Sequence, residues 1–195
     1  FNEVLQGILK DIVKKHRRIL FNGDNYTDDW KKEAARRGLP NITKTPEALK
    51  AIVAPASVAM FQKYNVLSKR ELESRHDVYL HAYHQTVLIE AGVAVTIART
   101  QIAPAAVRYQ HLLAETLQCV KATGGATGEL KKTLVAVSQM SECLLDAVSK
   151  LDSAIQADKT DKMLEGMLAV RRSVDDLEGL LPDDLWPLPS YAEMM

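Results

Sequence analysis

Apolar residues recur three and four positions apart along most of this chain, the spacing of one face of an α-helix. Near the start, Val4, Leu5, Ile8, Leu9, Ile12 and Val13 keep that rhythm with Lys10, Asp11, Lys14 and Lys15 between them, which predicts an amphipathic helix with Asn2 as its N-cap. Phe21-Asn-Gly-Asp24 breaks the pattern. Asn-Gly suits a turn that needs a positive φ, and the flanks lack the period-two alternation of a β-hairpin. Thr27 then caps a short helix with Asp28 and Asp29 in its first turn, Arg36 and Arg37 in its last, and Gly38 as a left-handed stop. Thr45-Pro46 starts another helix, Pro55 ends or kinks it, and a further short helix covers 57–64.

Ser68-Lys-Arg-Glu71 is a capping box and opens the longest helical stretch, which runs to about Ala122. Pro104 lies inside it and removes a backbone donor, so a kink is expected there. Unbroken, the stretch would be roughly 80 Å long at 1.5 Å per residue. A compact domain of this size has a radius of gyration of only about 16 Å, so the helix must break or project to where something else covers it. After the turn Gly124-Gly-Ala-Thr-Gly128, a heptad seam runs through Leu130, Leu134, Val137, Ser141, Leu144, Val148, Leu151 and Ile155, with Ser141 as its polar interruption. A short connection over 158–161 leads to the same rhythm in Met163, Met167, Val170, Val174, Leu177 and Leu181. Short connections make consecutive helices antiparallel neighbours. The predicted fold is therefore all-α: a long antiparallel three-helix bundle, one helix kinked at Pro104, with a cluster of shorter N-terminal helices and an extended C-terminal tail. The expected divisions are 1–67 for the short helices packing on the bundle, 68–181 for the bundle and 182–195 for the Pro-rich tail.

Composition narrows the functions. Lys and Arg total 25 and Asp and Glu total 25, so nothing in the overall charge favours nucleic acid or an anionic membrane as partner. The apolar run at 87–98 contains Glu90 and is too short to span a bilayer. Cys119 and Cys143 fall in helical patterns without a CxxC, which reads as buried free thiols in a reducing cytoplasm. The chain begins at Phe1 rather than Met, which reads as a piece of a longer polypeptide. The sequons Asn25-Tyr-Thr27 and Asn41-Ile-Thr43 matter only in a secretory compartment.

Candidate chemistry is sparse. Asp24, Asn25, Asp28 and Asp29 lack the EF-hand spacing and its terminal Glu, and turn and cap chemistry accounts for them. Glu73-Ser-Arg-His76 is the unit that di-iron bundles use twice, but no second copy exists. A metal-dependent helical enzyme would have to draw on Glu73, His76, His81, His84 and Glu90. Glu90, set among apolar neighbours, is read as paired with a cation from another helix or as exposed on the outer face. The Gly-rich stretch at 124–128 has no Gly-Lys-Ser/Thr ending and no preceding strand, so it is a helix connection. The basic run Lys14-Lys15-His16-Arg17-Arg18 complements a helix C-terminus or grips phosphate. No nucleophile elbow organises Ser, His and Asp. The expectation is no catalytic, cofactor-binding or metal-binding residue within this chain. In the tail, Leu185, Trp186, Leu188 and Tyr191 are too apolar for free chain and are candidate interface residues, packing on this domain or on a neighbouring subunit.

Five stretches, in order, resemble the C-terminal region of type III glutamine synthetases: KHRRILFNGDNYTDDWKKEAARRGLPN at 15–41, VLSKRELESR at 66–75, Ile89-Glu-Ala91, Gln101-Ile-Ala-Pro-Ala105 followed by Tyr109, and DLWPLPSYAEM at 184–194. The resemblance runs from about Val4 to the last residue. It implies a parent enzyme that joins ammonia to glutamate using ATP through a γ-glutamyl phosphate, with two divalent metals, Mg or Mn, and active sites shared between adjacent subunits of a large ring. The family's β-grasp and active-site sheet would lie upstream of Phe1. The resemblance thus implies a piece inactive by itself, whose partners are the catalytic domain of the same chain and neighbouring subunits of a homo-oligomeric ring. Residue patterns alone permit a freestanding helical interaction module equally well, because heptad seams are common to all bundles.

Overall fold

A computed structural model describes residues 1–189, and those residues form helices and turns without a β-strand. The helices are α1 (Asn2–Lys15), α2 (Asp28–Arg36), α3 (Thr45–Leu49), α4 (Pro55–Lys63), α5 (Lys69–Ile97), α6 (Ala103–Ala122), α7 (Gly128–Gln156) and α8 (Thr160–Glu178). A 3-10 turn at Arg17–Ile19 follows α1, and a π-helical turn at Ala98–Ile102 joins α5 to α6. The chain divides into two compact units, Phe1–Leu80 and a second from His81 onward, so the boundary falls inside α5.

The second unit holds the core. The α7 seam is buried at Val137, Ser141, Leu144, Val148 and Leu151, and the α8 seam at Met163, Val170 and Leu177, with Leu181 just beyond. Val87, Ala91 and Val95 of α5, Ala98 and Ile102 of the π turn, and Ala105, Ala106 and Leu113 of α6 complete one cluster. Connections of only a few residues turn α6 into α7 and α7 into α8, so each pair runs antiparallel, as the two seams predict. Gly166 lets α8 approach α7 closely: a Cβ built there would lie 3.0 Å from Leu151 Cδ1 and 3.2 Å from Leu151 Cα.

The interruption expected at Pro104 takes a specific form. In a regular helix the Pro104 ring would collide with the Thr100 carbonyl, four residues earlier, and leave it without a donor. The chain answers by widening: the Ala103 N–H donates to Ala98 O, five residues back rather than four. Pro104 then sits in the first turn of α6, where its missing N–H costs no helical bond.

The interruption does not end the hydrophobic stretch. Lys69–Ala122 contains a window of 18 residues with mean hydropathy 1.3, of which 28% is buried. By length and composition this helix could cross a bilayer, which the short run at 87–98 had not suggested. A helix buried along one side of a bundle passes the same two measures, and α5 and α6 contribute apolar positions to the core cluster.

The first unit is built differently. Of residues 1–80 only Ala34 and Leu72 are buried. Its best-defined contact is local: the Phe21 and Trp30 rings lie 4.6 Å apart between centroids, with the Arg37 guanidinium 5.9 Å from the Phe21 ring. Gly38 takes φ +72, the Gly38 N–H donates to Ala35 O and the Leu39 N–H to Ala34 O, the left-handed stop expected after α2.

Three local expectations are corrected. Gly23 does not adopt a positive φ, which among the glycines belongs to Gly38 and Gly124. Its role is space, because a Cβ there would come within 2.5 Å of the Phe21 ring. Phe1, not Asn2, occupies the N-cap position of α1, and no side chain caps it. Cys119 and Cys143 are free, as expected, but exposed rather than buried, because both lie off the seams that face the core.

Candidate functional site

The capping box at the start of α5 forms as its sequence requires. The Ser68 N–H and hydroxyl both donate to Glu71 Oε2 at 2.7 Å, and the Glu71 N–H donates to Ser68 Oγ at 3.3 Å. Bonds from the Ser68 backbone and hydroxyl hold the Glu71 carboxyl below its ordinary range. At α2, Thr27 occupies the N-cap position, yet its hydroxyl donates to Asp24 O at 2.9 Å rather than accepting from the helix. Asp24 Oδ1 accepts the Tyr26 N–H at 2.9 Å, Asp28 pairs with Lys31, and Asp29 with Lys32. The acidic group at 24–29 is therefore occupied by a turn and by ion pairs along α2.

The residues weighed as a metal set do not come together. His76 pairs with Asp77 at 3.0 Å, while Glu73 pairs with Lys69 at 3.6 Å. His84 Nδ1 lies 2.7 Å from Thr160 Oγ1, and Nε2 lies 2.9 Å from an Asp158 carboxylate oxygen. With its proton on Nε2, the ring donates to Asp158 and accepts from Thr160, tying α5 to the corner between α7 and α8. Asp158 makes that corner at φ +53, a left-handed conformation that Asp tolerates better than most residues. His81 and Glu90 are exposed on α5, so Glu90 meets the outer-face reading of its apolar setting. Among the described residues no group of three His, Cys, Asp or Glu side chains converges.

Polar groups inside the bundle link helices. Ser141, the polar break in the α7 seam, donates to Val137 O at 2.7 Å and accepts from Gln110 Nε2 of α6 at 2.7 Å. Arg99 in the π turn donates to Asp152 of α7 at 2.7 Å. These are ties between helices, not a constellation facing a cavity.

Two surfaces remain. The first is the tail. It is not extended throughout: the Leu185 N–H donates to Pro182 O at 3.0 Å and the Trp186 N–H to the same oxygen at 3.1 Å, closing a turn. Trp186 and Leu188 pack on this chain's own core cluster, and with Pro189 they border a shallow groove against Val174 and Glu178 of α8. Leu185 is half-buried. The Trp186 indole Nε1 is buried and has no partner among the described residues. Tyr191, the fourth interface candidate, lies outside the described residues.

The second surface is α1, which has no buried residue. Val4, Leu5, Ile8, Leu9, Ile12 and Val13 are all exposed, between 42% and 67%. Beside this apolar face opens a groove bordered by Leu20, Lys10, Lys14, Arg17 and Arg18. The amphipathic pattern announced the helix, and its apolar face lies uncovered among the described residues.

A family model described as the glutamine synthetase C-terminal domain matches residues 4–121. A type-3 glutamine synthetase of Dictyostelium discoideum is 32% identical over 206 residues, covering 96% of this chain and 28% of that protein. A glutamine synthetase of Butyrivibrio fibrisolvens is 27% identical over 99% of this chain and 30% of its own length. One of Bacteroides fragilis is 32% identical over all of this chain and 29% of its own length. The chain thus spans less than a third of the length of each of these relatives, and by its match over residues 4–121 it belongs to the glutamine synthetase C-terminal domain family.

Proposed function

We propose that this chain is an architectural region of a glutamine synthetase. In this reading it braces the catalytic domain of the same polypeptide and joins neighbouring subunits of a homo-oligomeric ring. The condensation of glutamate with ammonia, driven by ATP, takes place on the rest of the enzyme. The observation that carries the reading is the family match combined with how the polar side chains are used. They serve caps, helix corners and ties between helices, and no three metal-ligating side chains converge among the described residues. In this reading the ATP and the Mg or Mn belong to the rest of the parent enzyme, and no chemical step is assigned to the residues of this chain. A cytoplasmic parent accords with the two free thiols.

Removal of the matched stretch from the Bacteroides fragilis relative tests the role. Native mass measurement is expected to show that the shortened enzyme loses its assembly, with synthetase activity falling alongside. A shortened enzyme that keeps both assembly and activity contradicts an architectural role.

A further inference from the structure

An 80-residue unit with two buried side chains is short of a core. Burial of apolar surface is the main force that offsets chain entropy. Residues 1–80 bury only Ala34 and Leu72, while Phe1 is 97% exposed and Val4 67%. A helix of 14 residues, the length of α1, is marginal in water without tertiary cover. Its polar residues supply no substitute, since none of its acid–base pairs forms an ion pair among the described residues.

The charge beside the apolar face is one-sided. Lys10, Lys14, Arg17 and Arg18 border the groove, with Glu3 its one acidic residue. None of these four cations has an ion-pair partner among the described residues, whereas Arg36 and Arg37, which border the same groove, are committed to Glu33. Such a surface calls for an apolar strip rimmed by carboxylates.

We propose that the apolar face of α1 and its basic groove form a single docking surface, and that its occupant is a carboxylate-rimmed apolar strip on the catalytic part of a glutamine synthetase polypeptide. The inference rests on the function proposed above and adds the residues and the chemistry of the joint. Two observations select this occupant. The charge asymmetry requires acidic groups opposite, and more than two-thirds of each relative's length lies outside the match and provides the surface.

The test grafts residues 1–195 in place of the matched stretch of the Bacteroides fragilis enzyme and follows amide hydrogen exchange over α1. In the active, assembled graft, α1 amides should exchange on the order of 100-fold more slowly than in the separate 195-residue chain. Ile8→Asp combined with Ile12→Asp should return them to the separate-chain rate. In the separate chain the same pair of substitutions should leave the thermal midpoint of the bundle unchanged. Lys14→Glu with Arg17→Glu should speed α1 exchange in the graft about tenfold, and added salt should have the same direction of effect on the unsubstituted graft.

An active graft whose α1 exchanges as fast as in the separate chain overturns the docking surface and leaves the functional reading standing. A graft that neither assembles nor turns over overturns both. Protection of α1 in the separate chain that rises with protein concentration assigns the face to a second copy. Protection on vesicles of three parts phosphatidylcholine to one part phosphatidylserine assigns it to a bilayer. Either result overturns the proposed occupant.

Discussion

Glu33 gathers two arginines at the end of α2. Its carboxylate holds Arg36 through Nε at 2.6 Å and also pairs with Arg37, and Arg37 in turn donates to Arg18 O at 3.1 Å and to Leu20 O. The Arg36 guanidinium first, then that of Arg37, holds the Glu33 carboxyl down to about 2 from an ordinary 4.5. A depressed carboxylate stabilises the folded form above the unfolded value and loses that contribution as pH falls. The link from α2 to the 3-10 turn should therefore be intact above about pH 4.5 and weaken progressively towards pH 2. Carboxyl chemical shifts of Glu33 followed against pH should give a midpoint near 2, and a midpoint near 4.5 contradicts the pairing.

At the same scale, legibility followed how local each constraint is. Gly38 and the Ser68–Glu71 box were readable because backbone demand and residue type lie within a few positions of each other. Gly23 was read for the wrong property, because its constraint comes from where the Phe21 ring lies and not from its own φ. Exposure of Cys119 and Cys143 depends on which side of a helix meets another helix, which a lone residue type does not reveal.

Among elements, the α7–α8 contact is the tightest joint. Gly→Ala in a helix interior usually gains about 1 kcal/mol from propensity, whereas overpacking costs about 1–3 kcal/mol. At Gly166 the new methyl would meet the Leu151 backbone Cα at 3.2 Å, an atom that moves only if α7 moves. Overpacking should prevail, so Gly166→Ala is expected to destabilise by about 1 kcal/mol and lower the melting midpoint by roughly 2–4 °C. A calorimetric midpoint equal to or above that of the parent chain would show that α7 yields at no cost. The seams that make this joint were legible because their period is set by the helix itself. The break before α6 was legible as an interruption at Pro104, but not as a π turn, because several ways exist to relieve that carbonyl.

On the scale of the whole chain, two kinds of order stand side by side. From His81 onward, helices bury a continuous seam; before it, helices carry apolar faces with little to cover them. The pattern of apolar positions told which residues want burial. It did not say what buries them, since a helix face looks the same in sequence whether its partner is in the same chain or another. The family was legible only through the ordered motifs, of which the first four fall within the matched residues 4–121.

In the proposed function this chain supplies architecture while the chemistry lies elsewhere. The purified 195-residue chain, incubated with glutamate, ammonia, ATP and Mg or Mn, tests that claim most directly by the glutamine it releases. An architectural chain should release no glutamine above a protein-free blank, and turnover proportional to the amount of chain would contradict that role.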